Sequence, residues 1–161
     1  MTYYDEISEG YEELHREEQL KKVELIQKYL KVKSTDRLLD VGCGTGLTTE
    51  PWDCVRYGVD PASQLIARAR QKNKIHYIIA PAEDLPFDDH EFDIVISITA
   101  IQNFQDIEKG LKEIKRVGKN KFVLSFLKKS GKKELIEKLI RKIFKVKEVM
   151  KEDKDLIYFC E

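Results

Sequence analysis

Short apolar runs and stretches of helical period alternate along most of this chain. Leu38, Leu39 and Val41 make a first run suited to a buried strand, and Val55–Val59 makes a second. Helical spacing from Pro61 to about Lys72 puts Leu65, Ile66 and Ala69 on one face. Strands are predicted at Ile75–Ala80 and Phe92–Ile98. A helix follows from Ile107 to Val117, striped by Ile107, Leu111, Ile114 and Val117 and ended by Gly118. Lys121–Leu127 reads as a fifth strand, and Lys132–Phe144 as an amphipathic helix with Leu135, Ile136, Leu139, Ile140 and Ile143 inward. Lys145–Met150 and Leu156–Cys160 close the pattern as a hairpin-like pair. Upstream, Thr2–Gly10 predicts a short helix or turn, and Glu13–Lys31 a helix with Leu20, Val23, Ile26 and Leu30 on one face. This alternation predicts an α/β domain with a mostly parallel, doubly wound sheet.

The punctuation after the first strand carries the chemistry. Arg37–Gly46 reads RLLDVGCGTG, so the strand stops at three alternate glycines, which permit positive φ and close approach of a ligand. A helix N-terminus expected near Leu47 would point at the same place. It is cut short by Pro51 and the Trp52-Asp53 turn. A dinucleotide fingerprint needs G-x-G-x-x-G, whose third glycine would fall at Leu47, so a nicotinamide-dependent oxidoreductase is disfavoured. Asp60 ends the second strand, where a carboxylate can accept from both hydroxyls of a ribose. It can equally cap the next helix, with Pro61 at the first helical position.

Asp-Val-Gly-Cys-Gly-Thr-Gly, the acid at Asp60, Ala82–Phe87 (AEDLPF) and Phe92–Ser97 (FDIVIS) together resemble the motifs of class I S-adenosyl-L-methionine (SAM)-dependent methyltransferases. Among these the likeness is to the small domains of the ubiquinone-biosynthesis and tRNA/rRNA-modifying type. The resemblance implies a three-layer Rossmann-like fold, a seven-stranded sheet of order 3-2-1-4-5-7-6 with the last strand antiparallel, and one domain over 1–161. Residues 1–34 would be a helical lid in which Tyr3, Tyr4 and Tyr11 line the site or pack the helix on the sheet. The implied cofactor is SAM, released as S-adenosyl-L-homocysteine.

Carried onto this chain, the family's cofactor contacts fall at Tyr11, Asp40, Gly42, Cys43, Gly44, Asp60, Pro61, Ala82, Glu83 and Thr99. Gly42, Gly44 and Gly46 would let the aminoacyl end lie against backbone, Asp40 would orient the loop or meet the amino group, and Asp60 would hold the ribose. After the third strand relatives commonly read G-D-A-E, whereas this chain reads Ala80-Pro81-Ala82-Glu83. Proline cannot accept from the adenine amine. That leaves the Ala82 amide as donor, with Glu83 or Asp84 as a replacement acceptor.

The acceptor end, Ser97–Phe104, lacks the Asn/Asp-Pro-Pro-Tyr/Phe of amide and adenine-amine methylases, a cysteine nucleophile, and the His-His that relatives carry at Gln102-Asn103. Methyl transfer from a sulfonium needs chiefly positioning and a dry pocket, so no acid–base pair is required and no catalytic residue is assigned. Gln102 and Asn103 either orient an acceptor, cap the following helix or face water. The third strand would form a sheet edge, apolar and free of proline, open to strand addition by another chain unless a terminus covers it, and the resemblance implies a small activator protein as that chain.

Composition narrows the picture further. At 161 residues, 42% hydrophobic and 36% charged, the chain is a single globular domain by size, and its net charge is zero. Between Gln105 and Glu148 fifteen Lys/Arg face six Asp/Glu, a basic face suited to RNA or simply solvated. Cys43, Cys54 and Cys160 are widely spaced, and His15, His76 and His90 are scattered, so neither a disulfide framework nor a metal site is expected. Cys43 reads as a packing residue sooner than a nucleophile. No apolar stretch spans a bilayer and no leader opens the chain, which predicts a cytoplasmic protein without a membrane partner. The expected activity is methyl transfer to a nitrogen or oxygen on RNA, protein or a small metabolite. The alternative is a SAM-binding, non-catalytic or partner-dependent subunit of a modification complex.

Overall fold

A computed structural model describes residues 3–71 and 75–161. Met1–Lys31 and Val32–Glu161 form two compact units. The first is dominated by α1, Tyr3–Gln27, a single continuous helix where the sequence suggested a short helix or turn and then a helix to Lys31, so Leu30 falls beyond its end. Gly10 does not break it, because one glycine inside a helix costs only about 1 kcal/mol. The side chains of Tyr3, Tyr4 and Tyr11, named above as lid candidates, lie outside the described residues, as do Lys72 and Lys74.

In the second unit, β1 (Arg37–Val41), β2 (Val55–Asp60), α2 (Ser63–Arg70), β3 (His76–Ile79) and β4 (Phe92–Ser97) are followed by α3 (Ile107–Val117) and β5 (Gly118–Leu127). Then come α4 (Lys133–Ile143), β6 (Val146–Lys151) and β7 (Asp155–Cys160). The sheet order is β3-β2-β1-β4-β5-β7-β6, with every pair parallel except those made by β7. This is the Rossmann-like order that the methyltransferase resemblance implied. No described helix is long and apolar enough to cross a membrane.

Strict alternation along the strands decides what packs where. Leu39, Val41, Val59, Phe122, Leu124, Phe126, Leu156 and Tyr158 line one face, which α3 and α4 cover with Leu111, Ile114, Ile136, Leu139 and Ile140. On the other face α2 places Ile66 and Ala69 against Tyr77 and Cys43. Each fully buried aliphatic chain in these layers contributes about 1.5–3 kcal/mol of transfer free energy.

Three local expectations change. Leu135 is 50% exposed, because the buried stripe of α4 runs through Ile136, Leu139 and Ile140, and Leu135 falls a third of a turn away. Asp60 does not cap α2: Ala62 holds the N-cap position, Pro61 precedes it, and the helix begins at Ser63. Gly118 follows α3 but has φ −98°, an extended residue that opens β5. Glycine is needed there for close approach, since a Cβ would stand 2.4 Å from the Phe122 ring and 2.9 Å from Val95.

Candidate functional site

The glycine loop lies at the C-terminal ends of β1 and β2, where parallel sheets gather ligand sites. Gly42, Gly44 and Gly46 all adopt positive φ, at 79°, 54° and 92°. Two of them are locked by close approach as well. A Cβ on Gly42 would meet the Ala100 Cβ at 2.5 Å, and one on Gly46 would meet the Tyr77 Oη at 2.3 Å. Gly44 differs: nothing stands within 4 Å of where its Cβ would be, so this part of the loop faces open space.

The loop amides are largely spent inside the protein. The N–H groups of Gly42 and Cys43 donate to the Val59 carbonyl at 2.8 and 3.1 Å, and Gly46 donates to Cys43 at 2.9 Å. The Gly44 amide donates to Asp60 Oδ2 at 3.0 Å. The expected helix after the loop is absent. Residues 47–51 form turns, in which Thr49 and Glu50 both donate to the Gly46 carbonyl. What organises the segment is Asp40, whose Oδ2 accepts from Thr48 Oγ1 at 2.6 Å and Thr49 Oγ1 at 2.8 Å. The Trp52 indole N–H then donates to the Thr48 carbonyl at 2.8 Å.

Asp40 is fully buried, and its Oδ1 has no hydrogen-bond partner among the described residues. Burial pushes its carboxyl up from 3.8 to about 6, and the two threonine hydroxyls oppose that rise. The charge of Asp60 adds a smaller upward push. A buried acceptor left open beside a glycine loop suits a cationic ligand group, met directly or through water.

Asp60 joins three segments. Besides holding Gly44 through Oδ2, it accepts from the Ala62 amide through Oδ1 at 2.9 Å, and its carbonyl accepts from the Ala80 amide at 3.2 Å. Each carboxylate oxygen carries a further lone pair, so a diol can still be bound without displacing either amide. Pro61 beside it is exposed. The structure therefore brings Asp40, Gly42, Cys43, Gly44 and Asp60 together, with Ala100 packed on Gly42.

Ala82 and Glu83 serve the scaffold as well. Ala82 is buried in the main core, and Glu83 Oε2 accepts from the Asp106 amide at 2.9 Å, docking the start of α3. Cys43 is buried against Gly58, its thiol pushed far up by burial, which suits packing and not nucleophilic attack. Among the described residues no His/Cys/Asp/Glu group could hold a metal ion.

After β4, Thr99 stands at φ +57°, a left-handed conformation rare for a β-branched residue. Gln102 turns back to donate from Nε2 to the Thr99 carbonyl at 2.9 Å, while Asn103 is exposed. Sequence reasoning missed Thr48 and Thr49, Asp40's partners, although two hydroxyls just past a glycine loop were a usable signal. It also missed Ser125 and Asp155, which hold Thr99 from β5 and β7 and carry no local signal.

Residues 39–126 match the methyltransferase domain family. An uncharacterised protein of Methanocaldococcus jannaschii is 31% identical over 160 residues, covering 96% of this chain, which in turn spans 62% of that relative's length. A crystal structure of a Pyrococcus horikoshii protein superposes with a TM-score of 0.77 at 23% identity, covering 93% of this chain and 91% of that one. A chain of the Haloferax volcanii complex that contains the Trm112 methyltransferase activator gives 0.76 at 19% identity, covering 98% and 94%. The two structural likenesses speak for the fold alone; the family match covers more than half the chain. The chain belongs to the methyltransferase domain family, the class I fold whose methyl donor is S-adenosyl-L-methionine.

Proposed function

We propose that this chain binds SAM at the glycine loop and transfers its methyl group to a nitrogen or oxygen acceptor on RNA, protein or a small metabolite. The observation that carries the reading is the Asp60 carboxylate fastened to the Gly44 amide, beside the one loop glycine that faces open space. Asp60 holds the ribose hydroxyls with its remaining lone pairs. The open Asp40 Oδ1 takes the amino group, directly or through water, and the Gly44 backbone lies under the aminoacyl chain. When bound, SAM supplies a methyl on a sulfonium, a leaving group already activated by its charge. The chain's own task is then alignment and exclusion of water.

The β3 edge is the proposed seat of a small activator protein. It reads His76-Tyr77-Ile78-Ile79, with His76 exposed and Ile79 47% exposed. The opposite edge, β6, reads Val146-Lys147-Glu148-Val149-Met150-Lys151 and is guarded by charge. The unguarded edge supports strand addition there, and a structural neighbour is known in a complex with a methyltransferase activator.

Calorimetric titration with SAM, S-adenosylhomocysteine and NAD tests the cofactor reading. Binding of both adenosyl ligands without NAD is expected in the wild type, with loss of both in Asp60→Ala. Retained affinity in that variant would refute the role given to Asp60. Labelled methyl from SAM, offered to RNA, protein and metabolite fractions, then names the acceptor class. Saturation without transfer to any fraction would favour a non-catalytic subunit.

A further inference from the structure

We propose that Asp155 is a positioning residue, which holds Thr99 in its left-handed conformation and thereby sets the acceptor-side wall against the glycine loop. The proposal rests on the methyl-transfer reading for its purpose, and on geometry alone for its substance. Thr99 is the residue immediately after β4 but one, and a β-branched side chain resists φ +57° more than most. Such a conformation persists only where its surroundings over-determine it.

Those surroundings are visible. The Thr99 amide donates to Ser125 Oγ at 2.9 Å and to the Ser125 carbonyl at 3.2 Å. Thr99 Oγ1 donates to Asp155 Oδ2 at 2.6 Å, and Ser125 Oγ donates to the same oxygen at 2.8 Å. One fully buried carboxylate oxygen thus gathers both hydroxyls, from the end of β4 and from within β5. Asp155 is itself fixed at the β6–β7 turn, where its amide donates to Glu152 Oε1 at 3.0 Å and its carbonyl accepts from the Glu152 amide at 2.9 Å.

The consequence falls on the next residue. Ala100 lies so near Gly42 that a Cβ there would stand 2.5 Å from the Ala100 methyl. Gln102, bonded back to the Thr99 carbonyl, follows the same turn, and the Lys132 ammonium donates to the Gln102 carbonyl at 3.2 Å. The backbone angle at Thr99 therefore decides how the 99–102 wall meets the loop proposed to carry the cofactor. A buried aspartate on the antiparallel strand, remote in sequence, tunes a site built from the parallel ones.

Asp155→Ala, Asp155→Asn, Thr99→Gly and the double variant Asp155→Ala/Thr99→Gly test this. Two readouts are used: S-adenosylhomocysteine affinity by calorimetry, and the backbone amide signals of Gly42 and Ala100 by NMR. Asp155→Ala is expected to weaken the ligand by about tenfold and to shift or broaden both amides, the scale set by strain at a left-handed residue. Asp155→Asn keeps an acceptor oxygen and recovers most of the loss. The discriminating case is the double variant, because glycine takes φ +57° without cost and no longer needs the clamp. A double variant that matches Thr99→Gly in both readouts supports the proposal; one that falls short of Thr99→Gly by as much as Asp155→Ala falls short of the wild type overturns it, as does an Asp155→Ala protein with unchanged amides. Should Asp155→Ala not fold, Ser125→Ala takes its place, with Thr99→Gly again the rescue. A wild type that binds no S-adenosylhomocysteine refutes the cofactor reading alone, and the amide signals then decide the role of Asp155.

Discussion

The buried Asp40 carboxyl makes a prediction whose size follows from its surroundings. In the folded chain it titrates at about 6, against an ordinary 3.8, because burial disfavours the charged form more than Thr48 and Thr49 favour it. The folded state therefore binds this proton more tightly than the unfolded state. Its contribution to stability is complete below 3.8 and is lost as pH rises through 6. The whole gap is worth about 3 kcal/mol, of which about 2 kcal/mol falls between pH 4.5 and 7.5. Asp40→Asn cannot ionise, yet keeps an oxygen for the two hydroxyls. Other carboxylates titrate alike in both proteins and cancel in the difference. Urea unfolding of wild type and variant over that pH range should show the wild type losing about 2 kcal/mol relative to Asp40→Asn as pH rises. Parallel stability profiles would sink the argument, and with it the claim that this carboxyl is held dry and short of donors.

The glycine loop and the segment after β3 yield two further tests. Gly42→Ala combines φ +79° with a 2.5 Å approach to Ala100 and should cost about 3 kcal/mol or more, read by denaturant unfolding. Gly44→Ala meets no atom and pays only for φ +54°, about 1 kcal/mol, but its methyl fills the open face and should abolish SAM binding. Equal stability losses in the two variants would contradict the distinction between a packed and an open glycine. Arg116 donates to the carbonyls of Leu85 and Phe87 at 3.0 and 2.8 Å and pairs with Asp89 and Glu113. The exposed Asp89 pair is worth little, so the carbonyl bonds and the two-point Glu113 pair carry the effect. Arg116→Met should cost about 2 kcal/mol and speed amide exchange across residues 85–90. An unchanged exchange pattern there would mean the segment holds itself.

How much the sequence showed depends on how far each feature's partners lie along the chain. Parallel strands buried on both faces read as apolar runs, so β1, β2, β4 and β5 were legible within a few residues, and α3 to the residue, because Ile107, Leu111, Ile114 and Val117 recur at helical spacing up to Gly118; the Asp106 cap on the Lys109 amide is what the structure adds. The glycine loop and Asp60 were legible because residue type and spacing are themselves the constraint. The short turn after the loop was not. Leu47–Pro51 has an acceptable local helix pattern, but Asp40 recruits the hydroxyls of Thr48 and Thr49 and Trp52 takes the Thr48 carbonyl, so side chains replace the expected helical ladder. Thr99 was named as a contact residue, yet nothing near it in sequence indicates a left-handed backbone. Its clamp comes from Ser125, 26 residues on, and Asp155, 56 residues on. The same logic explains Asp155 itself. An aspartate opening an apolar strand looks like a turn residue, and only the sheet order, which inserts β7 beside β5, turns it inward toward the site. Features fixed by neighbours in sequence were readable in advance; those fixed by the antiparallel return of β7 required the fold, and these hold Thr99, the residue before the Ala100 that packs on Gly42.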